Sequence, residues 1–238
     1  MSMNELPNLL NDTWRFFRAN IWGLWKVLFP IIVPVSIIST ALSEYLPSDG
    51  VVSWVVLGVV IFLYPIIQAA MIFYISSVLT GEALPRGVCY RLGAKYWAPL
   101  FGLYILGALA MCGGFFLLII PGLIVFSRIM FSEFYCLLYE QSPVEAFESS
   151  WHQTRDYQWL LLVGVLLIAV ATSIPVWLLE KVVESTGAIG SIFAVVIGVI
   201  EYMLGCLITI FGYRVFSLHL EKLNKQSQQD SPDGSPLL

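Results

Sequence analysis

The sequence predicts an all-α membrane protein of six transmembrane helices, arranged as three hairpins, each preceded by an amphipathic helix at the cytoplasmic interface. Three observations lead there. Apolar runs of twenty or more residues recur along nearly the whole chain, and about 20 such residues cross about 30 Å of hydrocarbon at about 1.5 Å each. With 58% hydrophobic and 12% charged residues and a mean hydropathy of +0.83, the composition lies far from that of soluble domains, where about 25% of residues are charged. Finally, nearly all Lys and Arg fall in the short stretches between alternate runs.

The runs place spans at about 21–45, 51–79, 98–118, 121–140, 158–179 and 189–217. Outward turns fall at SEYLPSDG, around Ile120, Pro121 and Gly122, and at EKVVESTGAIG. Pro121 suits the first turn of the fourth span, where its missing N–H leaves no helical bond unmade. Arg15, Arg18, Lys26, Arg86, Arg91, Lys95, Arg155, Arg214, Lys222 and Lys225 all lie on one side of alternating spans, with Lys181 on the other. Basic flanks favour the cytoplasm, so both termini are expected there. The N-terminal residues lack the basic, apolar and small-residue order of a cleaved signal peptide.

Each span pair follows an amphipathic stretch: NELPNLLNDTWRFFRAN, EALPRGVCYRLGAKYW and SPVEAFESSWHQTRDYQW. The simplest reading is three repeats, about 4–80, 81–140 and 141–217, within one membrane domain over 1–220. At helical spacing Leu6, Leu9, Leu10, Thr13 and Phe17 share a face, as do Val144, Phe147 and Trp151, which suits helices lying in the headgroup layer. Residues 221–238 are polar and rich in Ser, Gln and Pro, and read as a disordered tail.

The segment Phe116–Trp159 carries LLIIPGLIVF, with Pro121 and Gly122, and after one helix AFESSWHQT, with Ser149, Ser150 and Thr154. In these residues it resembles the YciC-like family of bacterial inner-membrane proteins, and more loosely the membrane domains that accompany some glycerophosphodiester phosphodiesterases. The resemblance implies a multi-pass inner-membrane location and brings no settled activity.

Three ionisable residues fall inside spans: Arg128 and Glu133 in the fourth and Glu201 in the sixth. A charge at such depth costs several kcal/mol and calls for a partner or a polar interior. Counting from the outer turns places both carboxylates about 18 Å deep and Arg128 about 10 Å deep. Arg128 is therefore expected to pair with one of them or to reach outer headgroups. The three residues form either an ion or substrate path or a structural pair that fixes helix register. Pro30, Pro34 and Pro65 could likewise open helices for ligand coordination or simply kink them.

The four cysteines, Cys89, Cys112, Cys136 and Cys206, have no metal-type spacing and read as small apolar fillers. His152 and His219 read as surface residues, so no metal site or other cofactor is expected. The net charge of −4 argues against a nucleic-acid surface. The expected partners are membrane lipids and other inner-membrane proteins. No catalytic motif is present, and the favoured role is a non-enzymatic organising, partner-binding or lipid-interacting one. A small transporter or channel around Arg128, Glu133 and Glu201 is the alternative, and a lipid-modifying enzyme the weaker one.

Overall fold

A computed structural model describes residues 3–45, 51–184 and 190–230, and all regular structure among them is helical. After a 3-10 turn at Met3–Glu5 come α1 (Leu6–Tyr45), α2 (Val51–Leu79), α3 (Arg86–Lys95), α4 (Trp97–Leu117) and α5 (Ile119–Arg128). Then follow α6 (Ser132–Leu138), α7 (Pro143–Gln153), α8 (Gln158–Glu184) and α9 (Gly190–Asp230). Six stretches are long and apolar enough to cross a membrane, over Met3–Ile38, Leu57–Leu79, Trp97–Phe116, Ile119–Leu138, Gln158–Val182 and Ile192–Gln226. Of the outward turns read from the sequence at 43–50 and 180–190, residues 43–45, 180–184 and 190 are helical, and 46–50 and 185–189 lie outside the described residues.

The first and last helices form the spine. Gly198 of α9 faces Ser36 of α1, and the Arg214 guanidinium lies over the Phe16 ring, so the two helices run antiparallel. At 40 and 41 residues each is about 60 Å long, twice the thickness of the hydrocarbon layer. The amphipathic start of the chain is therefore not a separate interfacial helix but the first four turns of α1, uninterrupted through Pro30 and Pro34. Leu6, Leu9 and Phe17 of its stripe belong to the same buried core cluster as Phe216 and Thr13 is buried too, which makes protein, not lipid, the partner of this face. Likewise α9 continues through residues 221–230, so the first part of the expected disordered tail is helical; 231–238 lie outside the described residues.

Glycine sets how closely the shorter helices approach. A Cβ on Gly93 would stand 2.7 Å from the Ile66 carbonyl oxygen, so α3 rests backbone to backbone on α2. In the antiparallel α4–α5 pair a Cβ on Gly114 would stand 3.0 Å from the Gly122 Cα. Leu118 is extended between these two helices, and Pro121 occupies the first turn of α5, as read from the sequence. Gly102 and Gly107 accommodate Pro143 and the tip of Ile129, whereas Gly113 faces open space.

Of the predicted interfacial helices, α3 and α7 exist as separate elements. The α7 N-terminus carries a capping box: the Ser142 hydroxyl accepts from the Glu145 N–H, and the Glu145 carboxylate accepts from the Ser142 N–H, with Pro143 in the first turn. The buried side of α7 is Ala146 and Ser150, not the Val144, Phe147 and Trp151 stripe. Val144 is 66% exposed, whereas Phe147, stacked on Trp151, is partly buried against the core. His219 is buried rather than superficial, packed between Phe131 and Tyr157, because α9 runs on past the apolar segment.

Candidate functional site: a cavity with two carboxylates

The fourth predicted span is two helices. After Arg128 the chain leaves helical geometry at Ile129 and re-enters it at Ser132. A break at this depth frees backbone groups that need partners, and α7 supplies them. The Arg128 carbonyl accepts from the Ser150 hydroxyl at 2.6 Å and the Thr154 hydroxyl at 2.8 Å, while the Phe131 N–H donates to Ser150 Oγ at 3.1 Å. The Arg128 side chain completes the junction: Nε donates to Gln158 Oε1 at 3.0 Å, Nη1 donates to the Trp151 carbonyl at 2.9 Å, and the guanidinium stands 5.3 Å from the Trp151 ring. A cation at the carbonyl end of α7 is favourably placed for that helix dipole.

Arg128 thus pairs with neither Glu133 nor Glu201, and it points to the α7–α8 junction rather than toward outer headgroups. The expectation of an ion pair weighed only carboxylates as partners. A guanidinium is equally well satisfied by amide and carbonyl oxygens, and here the break in the helix presents them. Ser150 and Thr154 are buried and do this work. Ser149 takes no part in any described hydrogen bond. The spacing of Ser150, Thr154 and Gln158 at four-residue intervals is the signal that could have pointed to the junction.

Directing the backbone into α6 places Glu133 in that helix's first turn, facing inward. Its Oε2 accepts from Gln68 Nε2 at 2.9 Å, and the same Gln68 nitrogen lies 3.1 Å from Thr209 Oγ1. Gln68 and Thr209 are each 8% exposed, so this chain of side chains joins α2, α6 and α9 inside the bundle. The Tyr104 hydroxyl, buried and beside Glu133, has no well-formed hydrogen bond of its own.

These groups border a partly open cavity of about 720 Å³ lined by α1, α2, α4, α5, α6, α9 and the 129–130 turn. Leu28 and Ile32 of α1, Met71 of α2, Met111 of α4 and Phe126 of α5 supply much of its apolar wall. Gln68, Glu133, Thr209, Glu201 and the tyrosines Tyr64, Tyr104 and Tyr202 supply the polar part. Glu201 and Glu133 are not level: Glu201 lies eight residues from Thr209, about 12 Å along α9, so the carboxylates mark different heights of one space. Pro30 and Pro65 flank wall residues without interrupting α1 or α2.

Cys89, Cys136 and Cys206 are buried and Cys112 exposed, all as free thiols. Among the described residues no three His, Cys, Asp or Glu side chains come together in a metal-binding group. Compared with known protein families, curated proteins and solved structures, the chain matches none.

Proposed function

We propose that the protein is a membrane-embedded binding protein of the small-transporter type, which admits a small amphipathic molecule to the cavity around Glu133. The observation that carries this reading is the cavity itself. A purely organising or scaffolding protein has reason to pack its centre, whereas this bundle keeps about 720 Å³ open, within the range of small-molecule sites. Glu133 is also held in place by a relay that crosses three helices. An intramembrane carboxylate is costly unless it serves a purpose.

The setting proposed with it is the bacterial inner membrane, with both termini in the cytoplasm, as the one-sided basic residues support. Membership of the YciC-like family is part of the same proposal. In its support, Ser150 and Thr154 of the resembling segment have a definite task here, holding the broken fourth span at Arg128.

Native mass spectrometry from mild detergent tests the reading. Gly205 lines the cavity with nothing within 4 Å of a Cβ, so Gly205→Trp obstructs the cavity without a backbone clash. Wild-type protein is expected to carry small-molecule adducts that the variant lacks; identical adducts on both would overturn the proposal.

A further inference from the structure

We infer that the molecule taken up by this cavity is an amphipathic organic cation, its charged head held at Glu133, its apolar body along α1, α4 and α5, and Glu201 adding negative charge at another height of the same space. The inference rests on the cavity being a binding site and adds the chemical class of the ligand.

Charge is the first argument. Among the described residues two carboxylates line the space, while no Lys, Arg or His does. The ion pair found among the described residues, Lys95–Glu140, lies elsewhere, and Arg128, the nearest guanidinium in sequence, is bound at the α7–α8 junction. The fold therefore keeps two acids at a cavity and supplies no internal cation to neutralise them. Such an arrangement is costly when empty and relieved by a cationic guest.

The second argument is the aromatic wall. Tyr64 and Tyr104 lie with ring centroids 5.3 Å apart and an interplanar angle of 52°, and Tyr202 lines the same space. Ring faces attract cations, and the Tyr104 hydroxyl stands beside Glu133 without a well-formed bond of its own. An anion would meet two carboxylates and three electron-rich rings. Apolar side chains make up most of the remaining wall, so a small hydrated ion is matched poorly and a cation with a hydrocarbon body well.

Equilibrium binding of tetraphenylphosphonium and tetraphenylborate, matched in shape and opposite in charge, tests this on full-length protein in neutral-lipid nanodiscs. Protein-free nanodiscs correct for partition into lipid. Saturable binding of the cation, little of the anion, and a tenfold or greater loss of cation affinity in Glu133→Gln are expected. Glu201→Gln guards against a folding artefact, because Glu201 is exposed and its replacement removes no described hydrogen bond; it too should weaken the cation. If both probes bind alike, or both Glu→Gln variants keep full affinity, the cation assignment is overturned. The cavity reading then still stands provided Gly205→Trp abolishes binding. Failure of both probes to bind overturns the inference, and the cavity reading falls separately if native adducts also survive in Gly205→Trp.

Discussion

Gln68 of α2 reaches across the bundle to donate a 2.9 Å hydrogen bond to Glu133 of α6, joining two residues 65 positions apart at the wall of an open cavity. Removing one partner of a buried bond leaves the other unsatisfied, at about 1–3 kcal/mol. Gln68→Leu should lower stability by that order, and Glu133→Gln by less, since an amide oxygen still accepts. A double-mutant cycle read by thermal unfolding in detergent should show coupling on the order of 1 kcal/mol; strictly additive losses would remove the relay.

The junction at Arg128 is tested in the same way with different partners. Ser150→Ala strips both the Arg128 carbonyl and the Phe131 N–H of a bond and should cost about 1–3 kcal/mol. Arg128→Leu should couple to Gln158→Leu and not to Glu133→Gln or Glu201→Gln. Coupling to either carboxylate would mean that the guanidinium turns inward.

Helix spacing makes a steric prediction. A Cβ on Gly164 of α8 would stand 2.1 Å from the Phe211 ring of α9, and Phe211 is fully buried. Gly164→Ala should destabilise by about 1–3 kcal/mol through overpacking. Gly58→Ala, where nothing lies within 4 Å, should be neutral or slightly stabilising. Equal melting temperatures for the two variants would contradict the packing described.

The α7 capping box gives a pH dependence. Hydrogen bonds from Ser142, its hydroxyl first and then its backbone N–H, hold the Glu145 carboxyl below the usual carboxylate range. A carboxyl whose pKa is depressed on folding stabilises above its unfolded pKa and loses that contribution as pH falls through the folded value. The melting-temperature gap between wild type and Glu145→Gln should therefore be present at neutral pH and close below the ordinary carboxylate range. A gap that widens in acid would reverse the sign.

Orientation is open to reporter fusions. A fusion after Lys225 should read cytoplasmic, and fusions at Ser48 and Ser185 external. A periplasmic reading after Lys225 would invert the sidedness of the Arg128 junction and of the cavity.

The broad architecture was legible because hydrocarbon imposes one rule on every span: an apolar run with its backbone bonded internally. Glu133 and Glu201 stood out for the same reason. What periodicity could not convey was which surface meets protein and which meets lipid, since both are apolar; hence the stripe from Leu6 to Phe17 was assigned to the interface when α9 covers it. The break after Arg128 was hidden because FSRIMFSEF remains apolar enough to read as one helix. Its stabilising hydroxyls lie 22 and 26 residues further on, in Ser150 and Thr154. The cavity depends on how six helices and a turn meet, and no local pattern encodes that.

Access to Glu133 from within the membrane decides whether the cavity is open to a ligand. A membrane-soluble carbodiimide applied to intact membranes, followed by peptide mass spectrometry, reports whether the reagent reaches this carboxyl to form a stable N-acylurea. Modification of Glu133 in wild type, sharply reduced in Gly205→Trp, is the predicted result. Glu133 left unmodified while Glu201 reacts, or Glu133 modified equally in the obstructed variant, would contradict an open cavity ending at that residue.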